Sequence, residues 1–230
     1  MGAAGSMSTS ANPRRIEELP TTIPIFPLPN VLLLPRGKLP LNVFEPRYLE
    51  MVQDAIASHR LIGMVQPKNP KAAPDHPEVY QTGCAGRITS FAETEDGRYL
   101  ITLSGVSRFD IVRELPIGEK LHRRVEVSYG RFADDLSEPN EPGLDRARLT
   151  PALKGYFTLH GLTADWETIE RTPDHHLITC LAMICPFKPN EKQALLECPT
   201  TTARADTMIT LIEMALHEGR GSRKPTRLRQ

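Results

Sequence analysis

Residues 24–66 read P-I-F-P-L-P-N-V-L-L-L-P-R-G-K-L-P-L-N-V-F-E-P-R-Y-L-E-M-V-Q-D-A-I-A-S-H-R-L-I-G-M-V-Q, a pattern of strand, loop, strand, helix and strand. Leu39–Phe44 is apolar and β-capable, and Pro40 fits only the start of a strand or an edge, because it has no N–H to give to a ladder. Pro46 suits the first position of a helix, where that N–H is not needed. Along Pro46–His59 the apolar residues Tyr48, Leu49, Val52, Ala55 and Ile56 recur at helical spacing, with Glu50, Gln53 and Asp54 on the wet face. Leu61–Val65 is a short apolar run and reads as a buried strand.

Working outward, Thr22–Phe26 is a strand bounded by prolines. Pro27–Gly37 is a Pro-rich loop around Val31–Leu34, whose Leu33 and Leu34 are either buried or form an exposed lip. Pro67–Pro77 is a loop by composition. Val79–Phe91 returns to strand character, and Glu95-Asp96-Gly97 is a hairpin turn, since Gly accepts positive φ. Arg98–Ser104, Gly105–Leu115 and His122–Tyr129 read as three further strands. Asp134–Gly143, D-D-L-S-E-P-N-E-P-G, is the sharpest change of composition in the chain.

Everything beyond reads as helical. Thr150-Pro151 is a cap followed by a first-turn proline, and Gly161 ends that helix. Thr163-Ala-Asp-Trp-Glu opens a short helix. Thr172-Pro173 opens Asp174–Cys185, apolar nearly all round through Leu177, Ile178, Leu181, Ala182 and Ile184, hence central to a bundle. Asn190…Gln193 has capping-box spacing. Ala205–Leu216 is strongly amphipathic.

Strands come in a run and helices in a run, so the class is α+β. The predicted organisation is a flexible tail over 1–19, a β-rich subdomain over 20–133, a linker over 134–143, a helical bundle over 144–218 and a basic tail over 219–230. Met1–Ser6 matches the myristoylation pattern, but that pattern is short and common, and a disordered tail of small residues is the preferred reading.

Zero formal net charge and a pI near 7.1 give no broad positive field for nucleic acid. No apolar run approaches a membrane span of about 20 residues, and no secretory signal opens the chain; a reducing, cytoplasmic setting is expected. Cys84, Cys180, Cys185 and Cys198 include no C-x-x-C pair. Cys180 and Cys185 would point about 140° apart on one helix, so free buried thiols are expected. There is no G-x-x-x-x-G-K-[ST] loop, no G-x-S-x-G elbow and no H-E-x-x-H. Adjacent His175 and His176 cannot both face one metal, and His59, His122 and His217 are isolated. No metal, cofactor or catalytic set is implied.

F-P-L-P, L-P-L-N-V-F-E-P-R-Y, I-G-M-V-Q-P, G-C-A-G-R-I-T-S-F, D-G-R-Y-L-I-T-L-S-G-V-S-R-F and L-A-M-I-C-P-F-K-P-N-E-K-Q-A-L-L-E occur in this order across residues 20–218. Together they resemble the N-terminal substrate-binding domain of ATP-dependent Lon protease, above all the small stand-alone bacterial proteins made of that domain alone. The resemblance implies a PUA-like pseudo-barrel for the front half. It implies a non-catalytic module, since the ATPase and Ser–Lys proteolytic modules of full-length relatives have no counterpart in this sequence. The implied ligand is unfolded or extended polypeptide in protein quality control, with a protease or chaperone as partner.

The residues expected to touch peptide are Phe44, Glu45, Arg47, Tyr48, Trp166 and Phe187: an aromatic face beside a guanidinium at the strand-to-helix corner, and two aromatics in the helical half. Packing of Tyr48, Trp166 and Phe187 in the core, with Glu45 and Arg47 fixing the corner, is the competing reading. RNA binding through Arg36, Lys38, Arg60, Lys68 and Lys71, by analogy with PUA-like relatives, is the alternative function. A thiol or serine hydrolase is the third possibility.

Overall fold

The computed structural model describes residues 13, 15–69, 76–138 and 143–221. Its front half is a six-stranded sheet of β1 (Thr22–Pro27), β2 (Lys38–Val43), β3 (Leu61–Val65), β4 (Thr82–Glu93), β5 (Tyr99–Glu114) and β6 (Arg124–Ser128), in the order β2-β5-β4-β3-β1-β6, with a further β5–β6 pairing. That last pairing rolls β5-β4-β3-β1-β6 into a closed pseudo-barrel and leaves β2 as a tab on β5. The β4–β5 turn contains Gly97 at φ 77°, the left-handed conformation that the Asp-Gly pair predicts.

Strand β5 is one 16-residue strand where two were expected. Its first part, Tyr99–Ser104, lies between β2 and β4, and its last part pairs with β6 from Asp110 to Glu114. A strand that changes neighbours midway carries two burial patterns, which is why its sequence reads as two segments. The join is at Gly105. There the loop before β2 crosses so close that a Cβ would lie 1.9 Å from the Leu34 carbonyl oxygen. Gly105 accepts from Arg36 N–H and donates to the Gly37 carbonyl, both at 2.8 Å. Leu32, Leu33 and Leu34 are thereby pressed into the core; no exposed lip forms.

Two apolar cores result. Inside the barrel, Ile23, Ile25, Leu61, Val65, Phe109, Val125 and Val127 pack together. The second joins the sheet to the helices: Leu33, Leu34, Met51, Ile62 and Leu103 share one cluster with Leu153, Tyr156, Ile178, Leu195, Met208 and Ile212. The division at 134–143 stays a proposal about chain organisation.

Helix α1 (Pro46–Ala57) lies on the sheet and buries Tyr48, Met51, Val52 and Ala55. The bundle is α2 (Arg146–His160), α3 (Trp166–Arg171), α4 (Asp174–Ile184), α5 (Pro189–Glu197) and α6 (Thr201–Gly221). Several ends differ from expectation. Helix α2 begins before Thr150, because Asp145 accepts from Arg148 N–H at 3.0 Å, and Pro151 sits inside the helix. Glu191, rather than Gln193, closes the cap of α5 by accepting from Lys188 N–H at 2.8 Å. Ile184, expected in the bundle core, is 68% exposed at the end of α4. Ahead of β1, Ile16–Glu18 form a short 3₁₀ turn and Leu19 is buried, so the sequence expected to be a tail over 1–19 is ordered at its end. Met1–Ser6 and most of the basic tail lie outside the described residues. No helix among the described residues is long and apolar enough to cross a membrane.

Candidate functional site

The corner between β2 and α1 carries four of the six residues picked from the sequence. Glu45 precedes α1 in extended conformation, and Pro46 takes the first helical position. Arg47 Nη2 pairs with Glu45 Oε2 at 2.7 Å, and its guanidinium lies 4.7 Å from the centre of the Tyr48 ring. Tyr48 is buried and stacks on Phe26 at 4.2 Å. Phe44 points the other way. It is 59% exposed, with the Arg98 guanidinium 5.6 Å from its ring.

Phe44 does not stand alone. Leu100, 45% exposed, lies on the same face of β2-β5-β4 as Phe44, whereas Phe91, 44% exposed at the same end of the sheet, pairs with Ile101 and so lies on the opposite face. Asn42 and Ala92 flank Leu100 in register, and Phe91 packs edge-on to Tyr99 at 5.0 Å. Beside this apolar end runs an unpaired backbone edge. Gly105 N–H bonding to Gly37 O makes that pair a bonded one, the step before Lys38↔Ser104. Bonded and non-bonded pairs alternate in an antiparallel ladder, so Leu39, Leu41 and Val43 turn their backbone groups to β5. Lys38, Pro40 and Asn42, all exposed, turn theirs outward. Pro40 therefore sits where β5 needs no donor. No other strand pairs with β2 among the described residues.

Sequence reading missed Phe91, Arg98 and Leu100. The available signal was Leu100, an apolar residue on the face opposite Tyr99 and Ile101. Trp166 and Phe187 lie in the helical half, away from this edge in the chain's topology. Trp166 is half-buried, 5.8 Å from the Phe157 ring and 5.2 Å from Lys154 Nζ; Phe187 is buried 5.6 Å from Tyr156.

Behind the sheet lies a charged node. Arg108, buried on β5, holds Asp135 through Nε and Nη2 at 2.9 and 2.8 Å. Its Nη1 donates to Leu196 O and Cys198 O at 3.0 and 2.5 Å, a cation placed on the carbonyl end of α5. Beside it opens a cavity of about 630 Å³ between the loop before β2, the 3₁₀ segment Gly130–Leu136, α4 and the start of α6.

His122 is not isolated. Its ring nitrogens lie 3.3 Å from Glu50 Oε2 and 3.6 Å from Asp54 Oδ2, and these three form the group among the described residues with metal-ligand proximity. Glu50 Oε2 also accepts Leu121 N–H at 2.6 Å and Asp54 Oδ2 holds Lys120 Nζ at 2.7 Å. The cluster pins the segment before β6 onto α1.

All four cysteines are free, and Cys180 is half-buried, not buried as expected. Burial raises the Cys84 thiol far above its ordinary range and pushes Cys185 up to about 12. Cys180, 3.6 Å from His176 Nε2, is also raised by burial. None of these three is activated as a thiolate nucleophile.

Residues 22–214 match the family model described as the ATP-dependent protease La (LON) substrate-binding domain. Lon protease 2 of Myxococcus xanthus is 25% identical over 91% of this chain and 26% of its own length, and the Lon protease of Anaeromyxobacter dehalogenans is 24% identical over 85% and 23%. The chain thus spans about a quarter of those curated relatives. Among solved structures, a Lon N-terminal domain protein from Xanthomonas campestris superposes with TM-score 0.57 at 23% identity, over 83% of this chain and 98% of that one. The N-terminal domain of the Mycobacterium avium complex Lon protease gives 0.58 at 17%, over 84% and 98%. At these identities the superpositions establish the fold.

Proposed function

The chain belongs to the LON substrate-binding domain family, and we infer from that premise that it is a non-catalytic module that captures extended polypeptide along the outer edge of β2. The observation that carries this reading is the unpaired edge itself, Lys38–Val43, ending in exposed Phe44 with Leu100 on the same face. An incoming strand gains main-chain hydrogen bonds from the outward groups of Lys38, Pro40 and Asn42, and apolar side chains settle on the patch. Backbone recognition is indifferent to sequence, which suits a binder of unfolded or extended clients in protein quality control, acting with a separate protease or chaperone. Pro40 removes one donor from the edge, and an exposed Lys stands at its start. Both features discourage pairing between copies of the chain.

Glu45 and Arg47 stand at the Phe44 end of this edge, and the Tyr48 ring lies against the Arg47 guanidinium. Trp166 and Phe187 serve packing in this reading. The test is fluorescence-anisotropy titration with extended, apolar-rich peptides and a destabilised model protein, on the wild type and on Leu100→Asp and Phe44→Ser. Saturable binding that both variants weaken at least about tenfold supports the reading, a charge in an apolar contact being costly. Wild-type failure to bind any such ligand, or a salt-sensitive shift of structured RNA in its place, overturns it.

A further inference from the structure

We propose that the β2 edge selects its client by pattern, taking extended segments whose side chains alternate apolar and polar, with acidic residues at the polar positions near Lys38. The selection rests on the edge capture inferred above. Main-chain hydrogen bonds ignore sequence, but a strand added to a sheet continues both of its faces. The two faces of β2-β5-β4 differ sharply. On one, Leu39 stands in register with Leu103 and Ile88, and Leu41 with Ile101 and Phe91. On the other, Lys38 stands in register with Ser104 and Arg87, and Pro40 with Thr102 and Ser90.

The apolar face is unfinished at the edge. Leu103, Ile101 and Ile88 are buried, but Leu39 and Leu41 in the outermost strand are only half-buried. One further strand with apolar side chains on this face would cover both leucines, because cross-strand neighbours have Cβ atoms about 5 Å apart. The other face favours polar residues. Its cations are Lys38 and Arg87 in one row, with exposed Arg60 beside them, where the Arg60 carbonyl accepts Ile88 N–H at 2.8 Å. Burial, and after it the charge of Arg60, lowers the Arg87 pKa, so the two guanidinium groups repel each other. Neither Lys38 nor Arg60 is held in an ion pair among the described residues, and the rows of Lys38 and Pro40 contain no carboxylate. An acid opposite Lys38 in the incoming strand meets that charge directly. Arg87 and Arg60, two and three strands in from β2, add a field that salt screens. At the far end Leu100 and Phe44 make this face apolar, so the acid belongs at the Lys38 end.

Fluorescence anisotropy on the full chain at low salt tests this with three labelled peptides of about ten residues, the upper end of ordinary strand length. One alternates leucine or valine with threonine and aspartate. The second is its isomer, with apolar and polar residues in separate blocks, and the third carries lysine in place of aspartate. The alternating peptide should bind about tenfold tighter than its blocked isomer, the scale of a few cross-strand contacts. Lysine for aspartate should weaken binding several-fold, a loss that fades as salt rises, and Lys38→Glu, at an exposed position, should reverse that order. Leu41→Thr should narrow the gap between the two isomers. Equal binding of the isomers overturns the selection by pattern and leaves edge capture standing, whereas failure of all three peptides to bind overturns both. An aspartate-over-lysine preference that Lys38→Glu leaves unchanged overturns the assignment of the acidic position.

Discussion

Replacing Gly105 by Ala is the most exacting test of how the sheet is tied to the loop that buries Leu32–Leu34. A Cβ there would meet Leu34 O at 1.9 Å, Leu34 C at 2.7 Å and Pro35 Cα at 3.2 Å. All three are backbone atoms, so no side-chain rotation relieves the clash, and the loop must retreat by about 1 Å. Retreat stretches the two 2.8 Å hydrogen bonds between Gly105 and residues 36 and 37, worth about 1 kcal/mol each. It also loosens three leucines, each worth roughly 1.5–3 kcal/mol when fully buried. Losing both bonds and a part of the leucine packing puts the cost at about 3–5 kcal/mol. Urea unfolding followed by circular dichroism measures it, and thermal melting should fall by about 10 °C for a domain of this size. Gly97→Ala is the control. Nothing lies within 4 Å of its Cβ, but its φ is 77°, so strain alone should cost about 1 kcal/mol. A Gly105→Ala loss below about 1 kcal/mol would refute the close-approach reasoning.

Asp135→Ala should destabilise by about 3–5 kcal/mol in denaturant titration, because it strands the buried Arg108 charge, whereas replacing both residues by apolar ones should cost less. The Glu114 carboxyl is held below its ordinary range, chiefly by its hydrogen bond from Arg123. Its contribution to stability is present above the unfolded-state value near pH 4.5 and is lost as pH falls through the lower folded value, so Glu114→Gln should flatten the acid limb of a stability-versus-pH curve. Among the thiols, Cys180 should react with an aromatic disulfide reagent in the native state, while Cys84 and Cys185 should react only on unfolding. Asn42→Pro, at an outward-facing position of β2, should abolish peptide capture with little change in melting temperature, read by anisotropy and calorimetry.

What was legible in the sequence was local. Pro40 marked an edge, Pro46 a helix start, Asp96-Gly97 a hairpin and Gly161 a helix end, because each acts through its own backbone angles or missing donor. What was not legible depends on partners far along the chain. Whether Leu33 and Leu34 are buried turns on Gly86 and Gly105, which leave room for them. The single long β5 was hidden by its exchange of neighbours. Helix α2 was misplaced because Asp145 and Thr150 are both competent caps, and tertiary packing selects between them. The candidate edge was half visible: Phe44, Glu45, Arg47 and Tyr48 are neighbours in sequence, but Leu100 joins Phe44 only through strand register. The cavity draws on the loop before β2, α4, α6 and the segment between β6 and α2, so no motif announces it, although Arg108 within the apolar run of β5 is an unusual charge that could have been noticed.

Amide hydrogen exchange along β2, with and without a saturating extended peptide, tests the edge-capture reading most directly. The outward amides of Lys38 and Asn42 should become protected, while those of Leu39, Leu41 and Val43, already bonded to β5, should change little. Protection confined to the helices, with Lys38 and Asn42 still exchanging freely, would contradict it.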